Sequence, residues 1–242
     1  MVIGEAARPD DWRLTALAAL LEQTFPDPDS VLGLDRMRQF LAEKSGERVF
    51  KVLVAEDSLG RVVGGSVFSY VPRSNCGFSE YLVLEPPLRG RGLGREVFDR
   101  RREILDRLAQ QHGYVRCRGL FIEVDNPERT PPELLAAERK SSLDAYERLR
   151  LFGHLGFRKV DVPYVQPPLG PGKQTVEYLD LLFGAWETGL GVLPVDWILQ
   201  TLEPIWSAWA PAGAAGHLAQ LRERIGSARL VSLDAIGGEA AE

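Results

Sequence analysis

Apolar residues recur along this chain with two different periods. Over residues 9–24, Leu14, Leu17, Ala18 and Leu21 fall three and four apart, which predicts a helix. Residues 34–44 predict a second, shorter helix. Residues 50–56, 62–70 and 78–84 are short runs rich in Val, Phe, Tyr and Leu, and predict three strands. Ser58-Leu59-Gly60 marks a turn between the first two, and residues 2–4 allow a further short strand. Residues 93–111 predict a long helix whose Val97, Phe98, Ile104, Leu105 and Leu108 form one stripe. Glu96–Arg100 and Glu103–Arg107 are favourable i,i+4 pairs on its other face. A largely apolar strand follows at 119–124.

Thr130-Pro131-Pro132-Glu133 reads as a capping box with proline at the first helical position. Residues 141–155 predict another helix, closed by Gly156, and residues 157–162 and 175–183 the last strands. Three consecutive strands favour antiparallel pairing, and strand–helix–strand then favours a parallel step. The expected fold is a mixed α/β sheet flanked by helices.

From about residue 184 the texture changes. Four of the five tryptophans lie there (Trp186, Trp197, Trp206 and Trp209), and no Lys or Arg occurs from Gln174 to Gln220. Ile198, Leu202, Ile205 and Trp209 share a helical stripe that Pro204 is expected to disturb. Two units are therefore expected: residues 1–183, and a C-terminal helical extension over residues 184–242 with a frayed tail from Gly237. The extension would pack on the first unit or form a homodimer contact. A membrane-surface helix would want basic residues on its polar face, and this one carries Asp196 and Glu203.

Composition narrows the class. The chain has 242 residues, 45% hydrophobic and 26% charged, which suits a packed globular protein. A net charge of −5 argues against nucleic acid as the main ligand. Cys76 and Cys117 are too few for a disulfide framework. His112, His154 and His217 lack metal-ligand spacing, so no metal is expected. No apolar run approaches the roughly 20 residues that span a bilayer, and the start does not read as a secretory leader. A cytoplasmic protein without membrane partners is the expectation.

The sharpest local signal is Leu88-Arg89-Gly90-Arg91-Gly92-Leu93-Gly94, at a strand-to-helix turn. Glycines there let backbone approach a ligand, and the first helical N–H groups with the helix dipole favour an anion. Neither nucleotide spacing fits: no GxxxxGK[ST] is present, and the glycines run GxGxG rather than GxGxxG. Charge agrees with a local anion site. Residues 86–160 hold sixteen Lys and Arg against eleven Asp and Glu, while both flanking thirds are acidic. The acidic remainder would tolerate or attract a cationic partner.

The segment from Tyr81 to Gly94 resembles the acyl-CoA-binding motif of the GNAT superfamily of N-acetyltransferases, with Arg89, Gly92 and Gly94 on the pattern [Q/R]-x-x-G-x-[G/A]. Leu155-Gly156-Phe157, at a helix end before a strand, resembles the second signature of that family. The resemblance covers about residues 2–183. It implies a mostly antiparallel sheet with two splayed central parallel strands, at 78–84 and 119–124, and acetyl-CoA as acyl donor. Backbone groups of Leu82, Val83 and Leu84 would hold the pantetheine. Amides of Arg89, Gly90, Arg91, Gly92, Leu93, Gly94 and Arg95 would cradle the pyrophosphate. The acceptor would be a primary amine of a small molecule or peptide, attacking directly in a ternary complex. A non-catalytic acyl-CoA-binding domain is the alternative.

Catalysis would need a base for the amine proton. Glu80 is the first candidate, on a strand where alternation would put it on the face of Leu82 and Leu84; its bland reading is a solvent-facing residue. Glu123 is the second candidate: it interrupts Leu120-Phe121-Ile122-Glu123-Val124 and needs a partner, for which Arg150 is available. The tyrosine that the family uses as general acid falls at Phe152, which has no proton to give. Tyr81, Tyr146 and Tyr164 are not separated by spacing, and His154 reads as a surface residue. The proline-rich stretch from Val162 to Gly172 reads as a loop near the acceptor cleft, and residues 124–145 could also line it.

Overall fold

The computed structural model describes residues 1–141, 143–187 and 189–236. In chain order its elements are β1 (Val2–Glu5), α1 (Arg13–Thr24), α2 (Leu34–Ala42), β2 (Val49–Glu56), β3 (Val62–Val71), β4 (Cys76–Leu84), α3 (Leu93–Gln111) and β5 (Gly119–Asp125). There follow α4 (Pro132–Ser141), α5 (Ala145–His154), β6 (Phe157–Val160), β7 (Leu179–Ala185), β8 (Val192–Pro194), α6 (Val195–Trp209), α7 (Ala214–Ile225) and β9 (Leu230–Asp234). The strands form one sheet in the order β1-β2-β3-β4-β5-β7-β6-β9-β8. All neighbours are antiparallel except β4 and β5, which α3 connects as a parallel crossover.

Local chemistry sets several of the boundaries. The β2–β3 hairpin turns on Asp57, whose Oδ1 accepts from the N–H groups of Leu59 and Arg61. The first helix begins at Arg13 rather than residue 9, because the Asp11 carboxylate takes the Arg13 N–H at 3.0 Å. The fifth helix begins at Ala145 rather than residue 141: Asp144 caps it by accepting from Tyr146 N. The Thr130 capping box does not form. Its hydroxyl turns back to Asn126 O at 2.8 Å, and Pro131 O accepts the first bonds of α4. Residues 175–178 lie outside β7, with only an isolated bridge between Gln166 and Val176.

Apolar residues on the two faces of the sheet make the core. One face packs α1, α2 and α6 against Val52, Phe78, Tyr81 and Phe121; the other packs α3 and α5 against Phe68, Leu120 and Phe157. The extension is built into this core. Trp197, Ile198, Leu202, Ile205, Trp206 and Trp209 of α6 are buried in the first cluster. Strand β9 pairs with β6 and β8 with β9, so the extension also lengthens the sheet. Pro204 sits inside α6, and the carbonyl it leaves unbonded, Gln200 O, accepts from Arg73 Nε at 3.0 Å. The tail from Gly237 lies outside the described residues. Among the described residues no helix is long and apolar enough to cross a membrane.

Candidate active site

Strands β4 and β5 pair at Gly77–Leu120, Phe78–Phe121 and Ser79–Ile122, and there the ladder stops although both strands run on. A cavity of about 110 Å³ opens where they part. Glu80 and Leu82 line one side, Ile122, Glu123 and Asp125 the other, with Arg101, Phe152 and Gln166 closing it.

A bulge determines where Glu80 points. Val67 faces Tyr81 and Phe68 faces Ser79, so Glu80 is the extra residue. Ser79 and Leu82 then both face α3. Glu80 is turned to the face of Tyr81, not to that of Leu82 and Leu84 as strict alternation would have it. There Ser69 Oγ donates to Glu80 Oε1 at 2.7 Å, while Oε2 is sealed from solvent without a partner. Burial pushes the Glu80 carboxyl up to about 7, against the opposing pull of Arg48, the Ser69 bond and Arg101.

Glu123 is held from the loop after β6. The Tyr164 hydroxyl donates to its Oε1, and Gln166 Nε2 donates to its Oε2 at 2.8 Å. Burial pushes it up to about 7; the two hydrogen bonds oppose that, and the charges of Glu80 and Asp125 add to it. Arg150 is not its partner. That residue lies on the outer side of α5, with His154 and Arg158 around a separate surface hollow. Arg148 is the inward arginine, donating to Asp125 Oδ2 at 2.5 Å and to Glu138 Oε1. Phe152 lines the cavity with its ring 5.4 Å from that of Phe157.

Tyr164, Gln166, Arg148 and Arg101 are the site residues that the sequence did not single out. The proline-rich loop was a signal for the first two. For Arg101 the signal was its position: it falls on the stripe of Val97, Phe98, Ile104, Leu105 and Leu108, where an arginine must be buried. The other tyrosines are occupied or outside: Tyr81 Oη bridges Ser30 O and Leu32 N, and Tyr146 is exposed.

Leu82 and Leu84 are half-buried and Val83 is buried, leading along β4 to the glycine turn. Gly90 and Gly92 have φ of 74° and 85°, which glycine alone adopts without strain. Gly92 is the N-cap of α3 and its carbonyl accepts from Arg95 N, so the N–H groups of Leu93 and Gly94 precede the first helical bond. The Arg89 guanidinium turns back to Leu84 O at 3.0 and 3.2 Å, Arg91 is exposed, and Arg95 pairs with Asp99. The turn thus offers backbone donors next to basic side chains, which suits a phosphate group. Cys76 and Cys117 are buried, and burial pushes the Cys117 thiol up to about 12, so no activated thiolate is present. Among the described residues no cluster suits a metal ion.

No protein with a curated description matches the sequence. Among solved structures, a GNAT-family acetyltransferase structure from Bacteroides thetaiotaomicron is similar over 95% of this chain and 100% of its own, at 16% identity and a TM-score of 0.54. A tandem GNAT protein from the clavulanic acid biosynthesis pathway is similar over 90% of this chain and 62% of its own, at 14% identity and a TM-score of 0.50. These likenesses speak to the fold. The family model described as Acetyltransferase (GNAT) family matches residues 14–131, from α1 through the split strands and the glycine turn to the start of α4. The chain carries a domain of the GNAT acetyltransferase family.

Proposed function

We propose that the protein transfers an acetyl group from acetyl-CoA to a primary amine of a small molecule or peptide, by direct attack in a ternary complex. The observation behind this reading is the split between β4 and β5, with a sheltered carboxylate in the cavity and the glycine turn leading from its edge. The pantetheine would lie along the backbone of Leu82, Val83 and Leu84. Amides of residues 89–95, from Arg89 to Arg95, would take the pyrophosphate at the head of α3.

In this scheme Glu80 accepts the proton of the incoming amine, since its raised pKa matches a base working near neutrality. The amine nitrogen bonds to the thioester carbonyl carbon and the carbon–sulfur bond breaks. The sulfur leaves with the electron pair as a thiolate. Phe152 cannot protonate it. Glu123, tied to Tyr164 and Gln166, is the second catalytic candidate and shapes the acceptor side.

Phe152 favours one other reading, an acyl-CoA-binding domain without turnover. Initial rates of thiol release over a panel of amines separate the two. Intersecting patterns against both substrates support direct transfer. Acetyl-CoA binding with no turnover on any amine supports the binding domain, and absence of acetyl-CoA binding contradicts both.

A further inference from the structure

Arg101 is 1% exposed, yet it lines the cavity between the split strands. Its Nη1 donates to Ser79 Oγ at 2.6 Å and to Ser66 Oγ at 3.3 Å, and its guanidinium lies 4.9 Å from the centre of the Phe98 ring. Among the described residues no carboxylate forms an ion pair with it. Glu80 acts on it only at a distance, from the other face of β4. A buried guanidinium held by hydroxyls alone is costly, and a carboxylate matches its planar fork. Burial accordingly pulls its pKa down to about 9.

The position of this group along the split matters. From the glycine turn, β4 runs past Leu84 and Leu82 to Ser79, where the last pair with β5 closes the apex. A pantetheine lying beside Leu82, Val83 and Leu84 would direct its acyl chain to that apex, where Ser79 holds Arg101. The cavity, about 110 Å³, has room for roughly three or four water-sized groups, so it suits a short chain.

We propose that the apex of this cavity is a carboxylate site centred on Arg101, which favours CoA thioesters whose short acyl chain ends in a carboxylate over neutral chains of equal length. The site rests on the CoA-thioester reading above and narrows its acyl group. Acetyl-CoA remains able to bind, with water at the guanidinium.

Calorimetric titration of the full chain with CoA, butyryl-CoA and succinyl-CoA tests this. Succinyl-CoA is expected to bind about tenfold or more tighter than butyryl-CoA. In Arg101→Met the two thioesters should bind alike, with butyryl-CoA affinity kept. Should that variant not fold, Ser79→Ala, which removes the hydroxyl that holds the guanidinium at the apex, is expected to narrow the preference. Equal or tighter binding of butyryl-CoA by the unaltered chain overturns the proposal, and so does a succinyl preference that survives in Arg101→Met or is unchanged in Ser79→Ala. Failure of CoA itself to bind overturns the CoA-thioester reading together with this one, and the CoA titration shows that separately.

Discussion

Two half-neutral carboxyls share one cavity, and their burial has a consequence for stability. Glu80 and Glu123 both stand at about 7 in the folded chain, against an ordinary value of 4.5. Between those values the folded chain holds protons that the unfolded chain has lost. Folding then takes up protons, so this contribution to stability is present below about 4.5 and is lost as pH rises to about 7. The melting temperature should fall across that window for this reason. Glu123→Gln should flatten the fall, because a neutral amide can still accept from Tyr164 and Gln166 can turn its amide to meet it. A melting profile of Glu123→Gln as steep as that of the unaltered chain would contradict this. Arg148 offers a second test. Replacing it with Met leaves Asp125 and Glu138 without their shared cation and should cost about 3 kcal/mol. Arg150→Ala should change stability by less than about 0.5 kcal/mol in denaturant titration. The sequence offers Arg150 to Glu123 as a cation on the following helix, but charge alone does not fix which of two arginines, Arg148 or Arg150, faces the sheet; in the structure it is Arg148. The bulge at Glu80 had no compositional signal at all: Glu80 was legible as a residue of interest, and its facing was not.

The glycine turn is the most legible part of the candidate site, because its φ values demand the residue type seen there. Gly92→Ala forces a side chain into a left-handed conformation at the N-cap of α3, a strain of about 1–2 kcal/mol. It should lower stability by that order and weaken acetyl-CoA binding, read by denaturation and calorimetry. Unchanged acetyl-CoA affinity would remove the turn from the proposed binding site. Helix α3 was read with its observed bounds, Leu93–Gln111, since glycine opens it and its stripe is regular. Helix α6 shows the opposite case. Pro204 reads as a break, and only a residue 127 positions away in sequence, Arg73, supplies the donor that Gln200 O lacks. No local rule contains that information.

Over the whole molecule, the tryptophan-rich extension is part of the core. Trp206 and Trp209 are each 1% exposed, and Phe78 of β4 packs its ring 5.5 Å from that of Trp209. A chain cut after residue 190 would expose this cluster and should lose cooperative unfolding; a truncated chain with an unaltered melting transition would show the extension to be dispensable. The composition shift near residue 184 was visible in the sequence, but β9 was not, because its partner β6 lies some seventy residues earlier. The basic middle third carries the glycine turn within an acidic whole, so the proposed anionic donor and cationic acceptor would be drawn to different regions.

The proposed reaction turns on Glu80 removing the proton of an amine that attacks a CoA thioester. Amine-dependent release of CoA thiol, followed from pH 6 to 9 for the unaltered chain and for Glu80→Gln, tests it most directly. The rate of the unaltered chain should rise with pH through about 7, and the Glu80→Gln rate should be lower by about 100-fold or more with acetyl-CoA affinity unchanged. Equal rates in the two proteins would contradict it.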